Sequence, residues 1–285
     1  MSTGGGLWLD HVALVTAELA ATRDDYEKLG FTLTRESSHK GRITADGPVV
    51  PWGSGNHCAM FRHGYFEILG LTDPNRYHEP FRAALSRFRG VSMIAIGCDD
   101  ARGFYESSPH GRVAPVEVER DVPFGEGSRE ALFRIVRLEA GAFPEAELLF
   151  IEQATRDVLW QPPLLEHPNG ATALTSITLC SESPEETAAR FELCTGLGGT
   201  AVGKSPYFAL KDGSVRVSTP AEIASRYPGA VLPAVPSVGV VELTVRDLDA
   251  AKAFLETNGV TPHVSDGGIW LRPERTGGVV LELKA

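Results

Sequence analysis

Apolar and polar positions along this chain repeat in the order strand, helix, strand, strand, strand. The run Leu9-Asp10-His11-Val12-Ala13-Leu14-Val15 is mostly apolar and predicts a strand. Residues Leu19 to Leu29 predict a helix that stops at Gly30, where a left-handed C-terminal cap suits glycine. Two further strand candidates follow, and Gly64-Tyr65-Phe66-Glu67-Ile68-Leu69 predicts the last strand of the unit. Near the other end a strand closes at Val245, and Leu248, Ala251, Phe254 and Leu255 share one face at a period of about 3.6. That helix stops at Gly259. Self-similarity of this kind signals duplication.

Two fainter copies lie between. Val91 to Gly97 reads as a strand feeding a helix over 99–107, then strands around Val116, Phe133 and Leu149. Leu174 to Leu179 feeds a helix opened by a predicted capping box, Ser183 with Glu186, and Pro184 at its first position. Short strands at Tyr207–Leu210 and Ser214–Thr219 are joined by the turn Lys211-Asp212-Gly213. The chain therefore reads as four βαβββ modules beginning near Leu7, Gly90, Ala171 and Ser237. Proline-rich stretches at 156–170 and 227–237 punctuate them, and the first is the better boundary. This gives one domain over residues 1–160 and a second, with shorter modules, over 171–285. A lone module leaves a sheet face bare, so modules should pair, their mixed sheets curving around a cleft. The expected class is α+β.

At 285 residues, with 42% hydrophobic and 22% charged positions, the chain can bury a sizeable core. A net charge of −10 and a pI near 5.3 argue against nucleic acid or anionic membranes as partners. No apolar run approaches the ~20 residues that span a bilayer, and Met1 to Gly6 lacks the features of a signal peptide. Cys58, Cys98, Cys180 and Cys194 are dispersed without a Cys-x-x-Cys pair, the pattern of reduced thiols in a cytoplasmic protein. A small-molecule substrate is the expected partner, with a homodimer left open. Gly196-Leu197-Gly198-Gly199 follows a helix, so it is a cap rather than a phosphate cradle. No Gly-x-Ser-x-Gly elbow is present.

Asp10-His11-Val12, the helix end Lys28-Leu29-Gly30-Phe31, and Asn56-His57-Cys58-Ala59-Met60-Phe61 running into Gly64 to Leu69 resemble the vicinal oxygen chelate superfamily, closest to its glyoxalase-like domain group. Leu149 to Gln153 followed by His167 to Ala171 is similar to the end of that domain and its junction with the next. The specific resemblance covers about residues 7 to 171. It implies paired βαβββ modules and a divalent metal, held by side chains of the first and fourth strands, that binds two adjacent oxygens of a substrate. Members include lactoylglutathione lyase, extradiol dioxygenases, epimerases, thiol transferases and metal-free drug-binding proteins. The first-strand position here is His11 and the fourth-strand position Glu67.

Imidazole nitrogen with carboxylate oxygen suits Fe, Mn, Ni, Co or Zn as the divalent ion. Two ligands are too few, and the candidates for a third are His57, Glu152 and His39; Glu67 and His57 are also the candidate catalytic pair. Aligned helix entries place Met93, Ser176 and Val240 in the His11 slot of the other modules. That departs from both the lyase and the ring-cleaving dioxygenase patterns. Each candidate has a plainer reading. His11 is a satisfied interior histidine, His57 a supporting donor or loop residue, Glu152 a structural acid beside Gln153, and Glu282 a remnant or salt-bridge residue. Glu67 in an apolar strand needs a partner, because an unpaired buried carboxylate costs several kcal/mol. Tyr65, Trp52, Phe61 and Arg62 are cleft candidates or core. Arg129, Arg134 and Arg137 read as a solvated edge. The leading expectation is a metal-dependent isomerase, lyase or dioxygenase. The competing ones are a metal-free sequestration protein and, compatible with either, a structural or dimerising C-terminal half.

Overall fold

The structure, a computed structural model, describes residues 6–44, 46–87, 90–107 and 111–285. Strand β1 (Trp8–Thr16) leads through α1 (Leu19–Lys28) to β2 (Ser37–Arg42), β3 (Val49–Met60) and β4 (Tyr65–Leu71). After α2 (Glu79–Arg87) the order repeats as β5 (Val91–Gly97), α3 (Ala101–Ser107), β6 (Val116–Phe124), β7 (Gly127–Arg137) and β8 (Glu147–Gln153). A connector carrying α4 (Arg156–Leu159) and a 3-10 turn at Pro162–Leu165 enters the third unit. That unit is β9 (Ala171–Cys180), α5 (Pro184–Thr195), β10 (Thr200–Val202), β11 (Ser205–Ala209) and β12 (Ser214–Ser218). Helix α6 (Pro220–Arg226) precedes the fourth: β13 (Ser237–Val245), α7 (Leu248–Thr257), β14 (His263–Ser265), β15 (Gly268–Leu271) and β16 (Val280–Lys284).

Two eight-stranded sheets result, β2-β3-β4-β1-β5-β8-β7-β6 and β10-β11-β12-β9-β13-β16-β15-β14. Within each unit the first and fourth strands pair in parallel, and units join where first strands run antiparallel, β1 on β5 and β9 on β13. The expected α+β architecture of paired βαβββ units is the one observed.

The duplication is visible at single-residue resolution. Along β1 the pairing steps from Leu9 to His11, so Asp10 is a bulge. Ser92 is skipped in the same way on β5, Thr175 on β9 and Gly239 on β13. Each bulge lies one residue before the His11 slot. Parallel pairing fixes the fourth-strand slots as well: Ala13 opposes Glu67, Ala95 opposes Leu149, Thr178 opposes Arg216, and Glu242 opposes Glu282.

Period-two alternation divides each strand between two environments. Val12, Leu14, Ile68 and Ile94 of the first sheet join Ile177, Leu179, Val241 and Leu243 of the second in one continuous core with the helices. Burial of each such side chain is worth about 1.5–3 kcal/mol. The opposite faces are the concave ones. The Pro-rich connector is more than a link: Trp160 Nε1 donates to Phe61 O at 2.9 Å and Gln161 Nε2 to Pro123 O at 2.8 Å, closing one end of the first concavity. The predicted capping box at Ser183 does not form, because Ser181 Oγ takes the Ser183 N–H at 3.1 Å and the Thr187 hydroxyl at 2.9 Å. A capping box closes instead at Thr219 and Glu222. Gly30, Gly196 and Gly259 do adopt positive φ at helix ends.

Candidate active site

The concave face of the first sheet encloses a cavity of about 120 Å³ that exposes His11, His39, Tyr65, Glu67 and Arg120 among walls such as Phe133 and Ile151. Tyr65, Arg120 and Phe133 also border an adjoining, more apolar pocket reaching Met60, Val122 and Leu159. The space therefore has a charged centre and a greasy extension.

The β1 bulge builds the centre. In a regular strand Asp10 and His11 would point to opposite faces; the extra residue lets the two side chains meet. His11 Nδ1 donates to Asp10 Oδ1 at 2.8 Å. Asp10 is fully buried and also accepts from Gln153 Nε2 at 2.9 Å and Trp8 Nε1 at 3.2 Å. With Nδ1 carrying the proton, the lone pair of His11 is on Nε2, 3.9 Å from Glu67 Oε2. Tyr65 stacks on the imidazole at 4.2 Å and fixes its plane.

Glu67, on β4, is buried yet satisfied. Asn56 Nδ2 donates to its Oε1, and the Arg120 guanidinium lies 3.7 Å from the same oxygen. Burial pushes this carboxyl up, but the Arg120 charge and the Asn56 bond outweigh it and hold the group below the ordinary carboxylate value. Glu67 is therefore ionised. His39 Nδ1 is bonded to Ser54 Oγ at 2.9 Å, while its Nε2 is buried with no partner. Burial and the Arg120 charge drive its imidazole down to about 3, so it is a neutral ring with an unused nitrogen.

The structure brings together His11, Glu67 and, in the same cavity, His39. Two other candidates are directed elsewhere. His57 opposes Ile68, whose side chain is in the main core, and its Nδ1 donates to Thr34 O at 2.8 Å. Neighbours on a strand face opposite ways, so Asn56 and Cys58, not His57, share the Glu67 side. Glu152 accepts from Ala101 N at 3.1 Å at the start of α3 and pairs with Arg134, whereas Gln153 beside it reaches Asp10. His39 comes from β2. Of the aromatic candidates Tyr65 lines the cavity, Phe61 is core, and Trp52 packs on Tyr77 at the sheet edge. Arg62 is outside, paired with Glu166. Arg137 borders the cavity, while Arg134 pairs with Glu117 and Glu152. Glu282 is a salt-bridge residue, accepting from Arg226 at 2.6 Å.

Asp10, Asn56 and Arg120 were not singled out from the sequence. The alternation Val118, Arg120, Val122 carried the signal for Arg120, placing a cation on the apolar side of β6.

A family profile described as a glyoxalase-like domain matches residues 9–194, most of the chain. The chain belongs to the glyoxalase-like domain family. It is a member of the vicinal oxygen chelate superfamily, and the match runs through the first sheet into α5. No curated protein matches it. Among solved structures it is similar to a hypothetical protein from Staphylococcus aureus, at 12% identity and TM-score 0.62, covering 98% of this chain and 99% of that one. It is similar also to a triple mutant of 4-hydroxymandelate synthase from Streptomyces coelicolor, at 14% identity and TM-score 0.57, covering 98% and 92%. A xylose isomerase-like TIM barrel/4-hydroxyphenylpyruvate dioxygenase fusion protein matches at 14% identity and TM-score 0.55, covering 97% of this chain and 48% of its own. At these identities the likeness establishes the fold. Among the described residues no helix is long and apolar enough to cross a membrane, and all four cysteines are buried and free of disulfides.

Proposed function

We propose that this protein is a metal-dependent enzyme acting in the first concavity on a small molecule with two adjacent oxygens, by isomerisation, lyase chemistry or dioxygenation. One observation carries the reading: an imidazole oriented by a buried aspartate presents its free nitrogen beside an ionised glutamate, with the unpartnered His39 Nε2 in the same cavity. A carboxylate behind a ligating histidine fixes its tautomer and raises its basicity. His11, Glu67 and His39 would hold the ion; as they stand, no three His, Cys, Asp or Glu side chains among the described residues converge on one point. Met93 and Leu149, in the corresponding slots of the second module, donate nothing. When bound, the ion supplies Lewis-acid stabilisation of negative charge on substrate oxygen.

The remaining work falls to the chain. Arg120 is placed to hold an anionic oxygen of the substrate, and burial keeps the Tyr65 hydroxyl protonated as a hydrogen-bond donor. The walls of Phe133, Leu149 and Ile151 exclude water and receive an apolar substrate body.

A second reading, metal-free binding, is favoured by Arg120 itself, whose guanidinium already neutralises Glu67. Protein purified without a metal-affinity tag, analysed for metal content and then titrated with Fe(II), Mn(II), Ni(II), Co(II) and Zn(II) while Tm is followed, separates the two. The enzyme reading expects one of these ions to raise Tm in wild type and not in His11→Ala. An unchanged Tm with all five removes it.

A further inference from the structure

The concave face of the second sheet, where the duplicated fold repeats the first, is polar instead of apolar. It opens a cavity of about 180 Å³, small beside the several hundred Å³ of a drug-sized ligand pocket. Arg216 occupies the slot of Glu67 and Ser176 that of His11, so the pair of positions has exchanged an acid for a base.

The charges around this cavity do not balance. Arg226 and Lys284 are both committed, Arg226 to Glu282 at 2.6 Å and Lys284 to Glu242 at 2.6 Å. Glu282 is fully buried and also accepts from Tyr227 Oη at 2.8 Å and Ser265 Oγ at 2.7 Å. Arg216 lines the same space and has no carboxylate within 4.0 Å among the described residues. Three cations therefore face two carboxylates, in a protein of net charge −10. Around Arg216 the donors are hydroxyls. Thr178 is its cross-strand neighbour, and Ser214 donates to Ser176 Oγ at 3.0 Å, which leaves the Ser176 proton for another acceptor. The Tyr207 ring, 5.7 Å from the guanidinium carbon, forms one wall.

We propose that this second cavity binds a small monoanionic carboxylate on Arg216, with Ser176 and Thr178 donating to it. A guanidinium fork matches a carboxylate geometrically. A single negative charge neutralises the lining, whereas a phosphate dianion would leave an excess negative charge beside Glu242 and Glu282. The site is independent of the chemistry proposed for the first concavity.

Calorimetric titration of the full chain with acetate, lactate and inorganic phosphate tests it. Saturable binding of a carboxylate is expected, weakened at least about tenfold in Arg216→Gln, since a charge-assisted hydrogen bond lost corresponds to that factor or more. Ser176→Ala, a smaller change that tests the site without removing its cation, should weaken binding a few-fold, and His11→Ala should leave it intact. No saturable carboxylate binding, unchanged affinity in Arg216→Gln, loss in His11→Ala, or tighter binding of phosphate would each overturn the assignment.

Discussion

The first sheet carries His11 and Glu67 in one module and Met93 and Leu149 in the other, around a mostly apolar cup. The second carries Ser176 and Arg216 opposite Val240 and Glu282, around an ion-pair network. The two share strand order, parallel pairing and even the bulge before the slot, at Asp10 and at Gly239. The backbone is thus a neutral scaffold. Both acids are held by neighbours; what differs is whether unpartnered imidazole nitrogens stand beside the acid. Glu282 receives several donors and has nothing left to offer a ligand, while His11 Nε2 and His39 Nε2 in the first cup are unspent.

The sharpest way to break this contrast is to remove each half's pivotal group. His11→Ala should lower activity on a responsive substrate by about 10²–10⁴-fold, the range of a lost acid–base or metal-binding group. Its stability cost should be about 1–2 kcal/mol, because buried Asp10 keeps Trp8 and Gln153 as donors. Glu282→Ala should cost more stability and spare activity. It leaves Arg226 and Lys284 beside a buried void, at about 2–3 kcal/mol after allowance for their partial exposure, with activity per folded molecule retained. Equilibrium denaturation and initial rates on both variants check the pair. Arg120→Ala comes next, removing a cation 3.7 Å from Glu67. Metal affinity should rise about tenfold if an ion belongs there, as followed by competition with a chelator. If the site works without metal, ligand binding falls instead.

The smallest effect concerns the seam between the halves. His167 Nδ1 accepts from Thr32 N at 3.0 Å and Nε2 donates to Met60 O at 2.8 Å, an arrangement open only to the neutral ring. Burial lowers its pKa from the ordinary 6.5. The unfolded chain therefore binds the proton more readily, so the stabilisation is complete above about 6.5 and is lost as pH falls toward the folded-state value. Denaturation midpoints from pH 7.5 to 5 should decline in wild type and flatten in His167→Gln.

Legibility in the sequence followed periodicity. Long alternating or apolar runs with glycine stops announced the four modules, because strand and helix periods are set by backbone geometry. His11 and Glu67 were legible as polar residues isolated in apolar strands. The third position was legible only as a choice among His57, Glu152 and His39. His57 looked suitable by type, yet a one-residue step along a strand reverses its side chain, and only the pairing of Cys58 with Glu67 shows which face it takes. Arg120 was hidden for another reason: it comes from a strand distant in sequence, and only sheet closure sets it against Glu67. The capping box chosen at Ser183 had the right letters, but Ser181 was the nearer acceptor.

Diffraction from a crystal soaked in Mn(II), read at the anomalous signal of the metal, tests the central claim most directly. A peak bounded by His11 Nε2, Glu67 and His39 is expected, with Arg120 displaced from its present contact. Absence of a peak there at full soaking, with Arg120 still on Glu67, would contradict it.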